Sequence, residues 1–382
     1  MPIYKVDGVK KDGLQKYNVR INYISNTDGK PKQMTRTAYG LEAAKDLERK
    51  LINEVKAHNT EITKKLTIAE LFEEYESAQK YEVRESTLDK AKRNYIIYVE
   101  PTMADIRIDK LTIPLLQKWK VTIEQKNLAL NTKKSAYKIF RALLNFGVKM
   151  EYLSYNPLTK IGNFKDSFNI RPEMKVYTKD EFTRFISTTK RLAQEREIKQ
   201  CDLSEWDYYV FFSIAYFTGL RKGEIHALKW SDIDGIHLSV KRSITQKLKG
   251  GDRETPPKNK SSIRTIQMPL PLIRILNEHR ARQEKLNHFT KDHYICGGIR
   301  SLRDSTLQKR NANYAKLSGL DVIRIHDYRH SHVSVLVNAG INIKEIARRL
   351  GHSRVEETWN TYAHMYPQEE EKAIDVLNEI AA

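Results

Sequence analysis

Five residues have the types and spacing to do chemistry: Arg221, His326, Arg329, His352 and Tyr362. Arg221 stands in the run Thr218-Gly219-Leu220-Arg221-Lys222-Gly223-Glu224-Ile225. His326-Asp327-Tyr328-Arg329 comes later, then Leu350-Gly351-His352, and Tyr362 follows ten residues after His352. An arginine is a permanently charged planar fork that matches phosphate oxygens. Two of them suit the charge that builds on phosphorus during a displacement. A tyrosine hydroxyl, with an ordinary pKa of ~10, is a weak nucleophile until a base or a positive field activates it. Histidines and arginines supply both. The set therefore fits attack of Tyr362 on a phosphate.

Each residue also has a plainer reading. His326 could cap a helix, Arg329 could be a surface ion-pair partner, and His352 could be a satisfied helix-end histidine. Tyr362 could be half-buried packing, and Arg221 could simply pair with Glu224. The set needs elements that aim it. Tyr208 to Phe217 is strongly apolar and reads as a buried helix, with Gly219 as its C-terminal stop. Asp327 to Ala339 and Ile343 to Leu350 read as helices split by Gly340, the second ending at Gly351. Arg329 lies three residues after His326, on one helical face. Thr178-Lys179-Asp180-Glu181 has the form of a capping box that opens this region. Residues 236–240 and 263–268 read as strands, and Pro271 to Glu284 as a helix.

Upstream, residues 1–60 read as a small sheet followed by a helix. Val19, Ile21 and Tyr23 alternate with more polar neighbours, Thr27-Asp28-Gly29-Lys30 signals a turn, and Lys32 to Thr37 alternates again. Leu41 to Lys56 has helical spacing. A sheet backed by one helix can offer its other face to a groove, and a β-ribbon fits the DNA major groove. Arg20, Lys32 and Arg36 are the candidates for that face; solvated strand charges are the alternative. Residues 66–160 read as a helical bundle. Thr67 to Glu70 forms a capping box, and Asn131 is expected to cap the fourth helix. Lys133, Lys134, Lys138 and Arg141 on that helix could grip backbone phosphates, although ordinary solvated helix faces explain them almost as well. Residues 160–176 read as a linker.

The bulk numbers point the same way. The 382 residues carry 67 Lys+Arg against 48 Asp+Glu, a net charge of +19. The excess is spread along the chain, as expected of several modules touching one polyanion. Two cysteines without a CxxC pair indicate neither a metal knuckle nor a disulfide framework, which suits a reducing cytoplasm. No apolar run is long enough to span a bilayer, and the N-terminus lacks a signal-peptide core.

The order and spacing of the chemistry-bearing residues resemble the tyrosine site-specific recombinases, the integrases of phages and mobile elements. That family carries an Arg in a T-G-x-R-x-x-E-I-like segment, then H-x-x-R, L-G-H, and a tyrosine about ten residues on. The resemblance implies a mixed, mainly α chain in three parts. These are an arm-type DNA-binding domain over 1–62, with a three-stranded β-sheet plus helix, a helical core-binding domain over 66–162, and an α+β catalytic domain over 174–382. It implies a catalytic lysine in a β-hairpin, here Pro256-Pro257-Lys258-Asn259-Lys260, with Lys258 the choice and Lys260 the runner-up. Asn259 stands where the family often has Thr. The implied mechanism links the 3′ phosphate of a DNA strand to Tyr362. Arg221, Arg329 and His352 stabilise the transition state, His326 accepts the tyrosine proton and Lys258 protonates the leaving 5′ oxygen. No ATP, metal or other cofactor is implied.

The implied partners are core-type and arm-type attachment sites in double-stranded DNA, further copies of the chain in a tetramer, and an excisionase or DNA-bending protein. An acidic, then amphipathic tail from Gln368 docks on a neighbouring protomer or packs on its own domain. Two competing readings are a tyrosine-using topoisomerase and a non-catalytic DNA-binding regulator. The sheet-like N-terminal part argues against the first, and the complete polar set against the second.

Overall fold

The alternation of apolar and polar residues near the N-terminus builds an antiparallel sheet. The structure, a computed structural model, describes residues 3–24, 31–59, 66–165, 174–246, 251–256, 260–286, 288–365 and 374. Strands β1 (Ile3–Lys11), β2 (Leu14–Ile24) and β3 (Pro31–Tyr39) pair in that order. Helix α1 (Leu41–Asn59) covers one face, burying Val19, Ala44 and Leu51 with Ile21, Met34 and Leu47 packed around them. The expected turn at residues 27–30 lies outside the described residues.

The pairing register decides which side chains share a face, because strand side chains alternate. Val19 pairs with Arg36, Ile21 with Met34 and Tyr23 with Lys32. Lys32 and Arg36 thus lie on the helix-covered face, at its margin. Arg36 reaches Glu54 of α1 at 3.4 Å. Arg20 pairs with Thr35 on the opposite, open face, with its guanidinium over the ring of Tyr4 at 5.5 Å. The expectation that Arg20, Lys32 and Arg36 share one groove-facing surface is therefore corrected. The open face carries Tyr4, Asn18, Arg20, Asn22, Gln33 and Thr35, with Gln33 donating to Asn22 at 2.8 Å.

Helices α2 (Ile68–Gln79), α3 (Glu85–Tyr98), α4 (Glu100–Met103), α5 (Ile113–Gln125), α6 (Leu130–Lys149) and α7 (Leu158–Ile161) surround a second apolar cluster. Thr67 caps α2 in the expected box with Glu70, and Thr112 caps α5. Asn131 does not cap α6; the helix starts a residue earlier, after Ala129, and has no side-chain cap. Trp119 is buried edge-on against Phe140 and donates its Nε1–H to Tyr98 O at 2.8 Å. The bundle runs further than expected. Phe164 is buried in its core, and Lys120 Nζ donates to the carbonyls of Ile161 and Gly162, both at 3.0 Å. The linker is correspondingly shorter, and residues 166–173 lie outside the described set.

The chain divides into two compact units, residues 1–170 and 171–382. In the second, Thr178 caps α8 (Lys179–Gln200) with Glu181. Helix α9 (Ser204–Thr218) is its axis. Val210, Phe211, Phe212 and Ile214 are wholly buried there, each stabilising by roughly 1.5–3 kcal/mol. After α10 (Lys222–His226) come β4 (Ile233–Asp234), β5 (His237–Val240), β6 (Ser243–Thr245), β7 (Arg253–Thr255) and β8 (Arg264–Gln267). Strands β4, β5 and β8 form one antiparallel sheet, and β6 and β7 a separate hairpin. Helices α11 (Leu270–Gln283), α12 (Asp304–Leu317), α13 (Asp327–Asn338), α14 (Ile343–Leu350) and α15 (Val355–Tyr362) complete the unit. Helices α12 and α15 were not expected from sequence; a β-hairpin was implied by the resemblance at residues 256–260, and the strands β6 and β7 lie just before that stretch. Of the expected tail, Ile374 alone is described, and it is helical.

Candidate active site

Gly219 ends α9 in the left-handed conformation, φ 64°. A Cβ there would stand 2.6 Å from the His332 ring. Without one, α9 turns tightly and leaves its Gly219 carbonyl free to accept from Arg329 Nη1 at 2.8 Å. Two residues on, Arg221 begins α10. Glu224 returns its carboxylate to the Arg221 backbone N–H at 3.0 Å and to Nη1 at 3.1 Å. His226 anchors α10 from below, with Nδ1 3.1 Å from Ser301 Oγ and Nε2 3.0 Å from the Asp304 carboxylate. Arg221 is thus aimed by a helix start pinned on both sides.

Helix α13 carries the next group. Tyr328 faces the core, wholly buried, with its hydroxyl donating to Asn311 at 2.8 Å. That burial fixes the rotation of the helix and puts Arg329 into the site. Arg329 is 2% exposed. Its Nη2 donates to Leu350 O at 3.0 Å and lies 2.7 Å from His352 Nε2. Gly351, at φ 68°, ends α14 where a Cβ would meet Arg264 Nη1 at 2.8 Å, so close approach demands glycine. His352 Nδ1 lies 2.7 Å from Thr358 Oγ1 on α15. Tyr362 closes α15, 2% exposed, among Val333, Val337, Ile346 and Leu350.

Charge is unbalanced here. Among the described residues, Arg221, Arg264 and Arg329 share the site with Glu224, which also accepts from Arg264 Nη2 at 2.9 Å, while the nearby Asp327 carboxylate is paired with Arg324. Burial pushes the Glu224 carboxyl up, but the hydrogen bond and charge of Arg264 and the charge of Arg221 outweigh it, and the net shift is down. Burial, then the charge of Arg221, pulls Arg329 down to about 9. Desolvation and the same guanidinium groups hold His352 at about 4. His326 is also held at about 4, first by desolvation, then by His330 and Arg329. Burial lifts Tyr362 to about 12 despite the charge of Arg329. A buried surplus of guanidinium beside a protonated phenol and neutral imidazoles is a receptor for an anion.

The structure brings Arg221, His326, Arg329 and His352 close enough for mutual charge effects, with Tyr362 beside Arg329. It does not give Tyr362 to His326. The Tyr362 hydroxyl lies 2.6 Å from His330 Nδ1. His326 sits at the exposed start of α13, its ring edge-on to His330 at 5.0 Å. Lys258 lies outside the described residues, as does the side chain of Lys260. On α6, Lys133 is tied to the end of α5, donating to Glu124 O at 3.0 Å and to its carboxylate at 3.1 Å. It is therefore separated from Lys134, Lys138 and Arg141, which recur at helical spacing along one face.

Sequence reasoning missed His330, Arg264, His332 and Arg349. His330 is four residues after His326, so helical spacing places it on the same face and could have found it. His332 and Arg349 brace the floor. His332 Nδ1 lies 2.8 Å from Tyr216 O, and Arg349 donates to Phe217 O at 3.2 Å and Gln267 O at 3.1 Å.

Residues 175–369 match the phage integrase family, which includes the described part of this site. The chain is 34% identical over 258 residues to the ICEBs1 integrase of Bacillus subtilis strain 168, covering 65% of each protein. Its fold is similar to that of the Tn1549 transposon integrase in complex with a circular intermediate DNA. The TM-score is 0.65 at 18% identity, covering 83% of this chain and all of that one. It is also similar to a lambda integrase in a tetramer bound to a Holliday junction, with a TM-score of 0.53 at 15% identity, covering 94% of each. The chain belongs to the phage integrase family, as an enzyme of the tyrosine recombinase type.

Proposed function

We propose that this chain is a site-specific recombinase that integrates and excises a mobile element, a phage or a conjugative element, through a 3′-phosphotyrosine intermediate. The observation that carries the reading is the buried Arg329, which pairs with no carboxylate among the described residues, beside the buried Tyr362. Together with Arg221 and His352 it forms a seat for a scissile phosphate. Tyr362 Oη attacks phosphorus, the bond to the 5′ oxygen breaks, and the 3′ phosphate stays on the enzyme. Guanidinium groups already in place stabilise the charge that grows on the phosphoryl oxygens. The tyrosine proton leaves to a histidine of α13. A lysine of the 256–264 stretch, Lys258 first and Lys260 second, protonates the leaving oxygen. Attack by another strand's 5′ hydroxyl reverses the step, and the bond energy is kept throughout.

Residues 1–62 are proposed to hold arm-type DNA by the open sheet face, residues 66–162 to hold core-type DNA with Lys134, Lys138 and Arg141 on α6, and residues 174–382 to cut and rejoin it. The lambda integrase tetramer on a Holliday junction supports assembly as a tetramer on DNA. An excisionase or DNA-bending protein is a proposed further partner, and the bacterial cytoplasm the proposed site of action. The test is incubation with a nicked duplex spanning a boundary of the element. A covalent protein–DNA adduct dependent on the boundary sequence is expected. Site-independent relaxation of supercoiled plasmid, without strand exchange, would contradict the recombinase reading.

A further inference from the structure

Three rings line up on α13 and α15. The Tyr362 hydroxyl lies 2.6 Å from His330 Nδ1, with the two ring centroids 5.5 Å apart. The His326 ring follows, 5.0 Å beyond that of His330 and at 89° to it. Tyr362 is 2% exposed, so bulk water does not reach its hydroxyl well, whereas His326 is exposed at the helix start. Among the described residues, the hydrogen bond found for the Tyr362 hydroxyl is the one to His330.

We propose that His330 is a catalytic residue: its Nδ1 takes the proton of Tyr362 as the phenol oxygen attacks phosphorus. The inference rests on the recombinase reading above and assigns the proton acceptor within it. In the step, Oη–H breaks and the proton moves to His330 Nδ1. Oη–P forms, P–O5′ breaks, and the 5′ oxygen takes a proton from the ammonium of the proposed hairpin lysine. On religation the His330 imidazolium returns its proton to the departing phenolate.

The surroundings suit the role. A neutral acceptor is required before reaction, and partial burial holds His330 below the usual imidazole range. The groups whose charge acts on it are Asp327, which favours the imidazolium, and Arg324 and Arg329, which oppose it; His326 and Tyr362 are its ring neighbours. The Asp327 carboxylate, buried and accepting from the Arg324 backbone at 2.8 Å, is fixed where it can steady the new charge. His326, at the exposed start of the helix, is left to face the DNA phosphate.

The experiment uses the full chain and a boundary-spanning duplex with a 5′-bridging phosphorothiolate at the scissile position. A thiolate leaves without a proton, so the rate reports on the nucleophile side alone. We expect His330→Gln and His330→Asn to slow single-turnover cleavage by roughly 10²- to 10⁴-fold and to abolish the acid limb of the wild-type pH profile. His326→Gln should keep that limb. Wild-type rates in the His330 variants, or full rescue by Asn, which can hold the hydroxyl but cannot take its proton, would overturn the proposal. A DNA-free arm follows histidine nitrogen resonances by NMR. Tyr362→Phe should move the Nδ1 signal of His330; a shift confined to His326 would overturn the pairing. No wild-type adduct on any boundary duplex would overturn the recombinase reading and the catalytic role with it, leaving the NMR result to decide the hydrogen bond on its own.

Discussion

Nη2 of Arg329 lies 2.7 Å from Nε2 of His352. A guanidinium can only donate, so His352 accepts at Nε2 and carries its hydrogen on Nδ1, which faces Thr358 Oγ1 at 2.7 Å. The two groups proposed to clamp a phosphate are thus bound to each other. Under the proposed function, a phosphate entering the site would replace the imidazole as acceptor and favour its protonation. Arg329 also holds Gly219 O and Leu350 O. A lysine, with one point charge, cannot reproduce that fork. Arg329→Lys should lower adduct formation by roughly 10²- to 10³-fold with DNA binding retained. Wild-type cleavage in this variant, measured by single-turnover assay, would show that charge alone suffices.

The two faces of the N-terminal sheet make separate predictions. Arg20 lies on the open face, whereas Arg36 is engaged by Glu54 at the helix side. Arg20→Ala should weaken binding to duplexes tiled along the element ends and reduce the salt slope by about 0.9, one phosphate's share. Arg36→Ala should leave both unchanged. Fluorescence anisotropy across a salt series checks this, and the reverse ranking would place the DNA on the other face.

Gly219 joins the core helix to the site. Alanine there meets the His332 ring at 2.6 Å in a backbone conformation that L residues rarely adopt. Gly219→Ala should destabilise the second unit by roughly 1–3 kcal/mol, lowering the thermal midpoint. Cleavage should fall too, because the Gly219 carbonyl that holds Arg329 shifts. An unchanged midpoint would show that the turn relaxes freely.

Acid should unfold this unit. Burial, then Arg349, holds His332 at about 3, and His352 is held at about 4. Both folded values lie below the ordinary ~6.5. The unfolded chain therefore binds protons first as pH falls, and stability rises with pH across this window. It is complete above about pH 6.5 and declines toward pH 4, with the buried His332 contributing on the order of 2–4 kcal/mol. Thermal unfolding across that range should show the decline. His332→Asn, which keeps a donor for Tyr216 O, should flatten it; an unaltered slope would remove His332 as a cause.

Sequence made legible what is encoded locally. The boxes at Thr67 and Thr178 and the stop at Gly219 are signals a few residues long, and all three stand in the fold. What sequence did not reveal depends on long-range register or docking. Lys32 and Arg36 changed face because the strand register, not the alternation within either strand, sets which residues meet. Lys133 left its stripe because the end of α5 comes within reach of it. Arg264 reaches Glu224 across 40 residues, and His330 reaches Tyr362 across 32. Such partners are chosen by helix packing, which no local spacing reports. Helix α12 escaped notice because its exposed face is polar and its buried side rests on few residues, Leu307, Asn311, Tyr314 and Ala315.

The central claim is that Tyr362 is the nucleophile. Its most direct measurement is peptide mapping by mass spectrometry of the adduct trapped on a nicked boundary duplex. The account predicts a 3′-phosphonucleotide on the peptide containing Tyr362, and no adduct from Tyr362→Phe. A nucleotide on another residue, or an undiminished adduct from Tyr362→Phe, would contradict it.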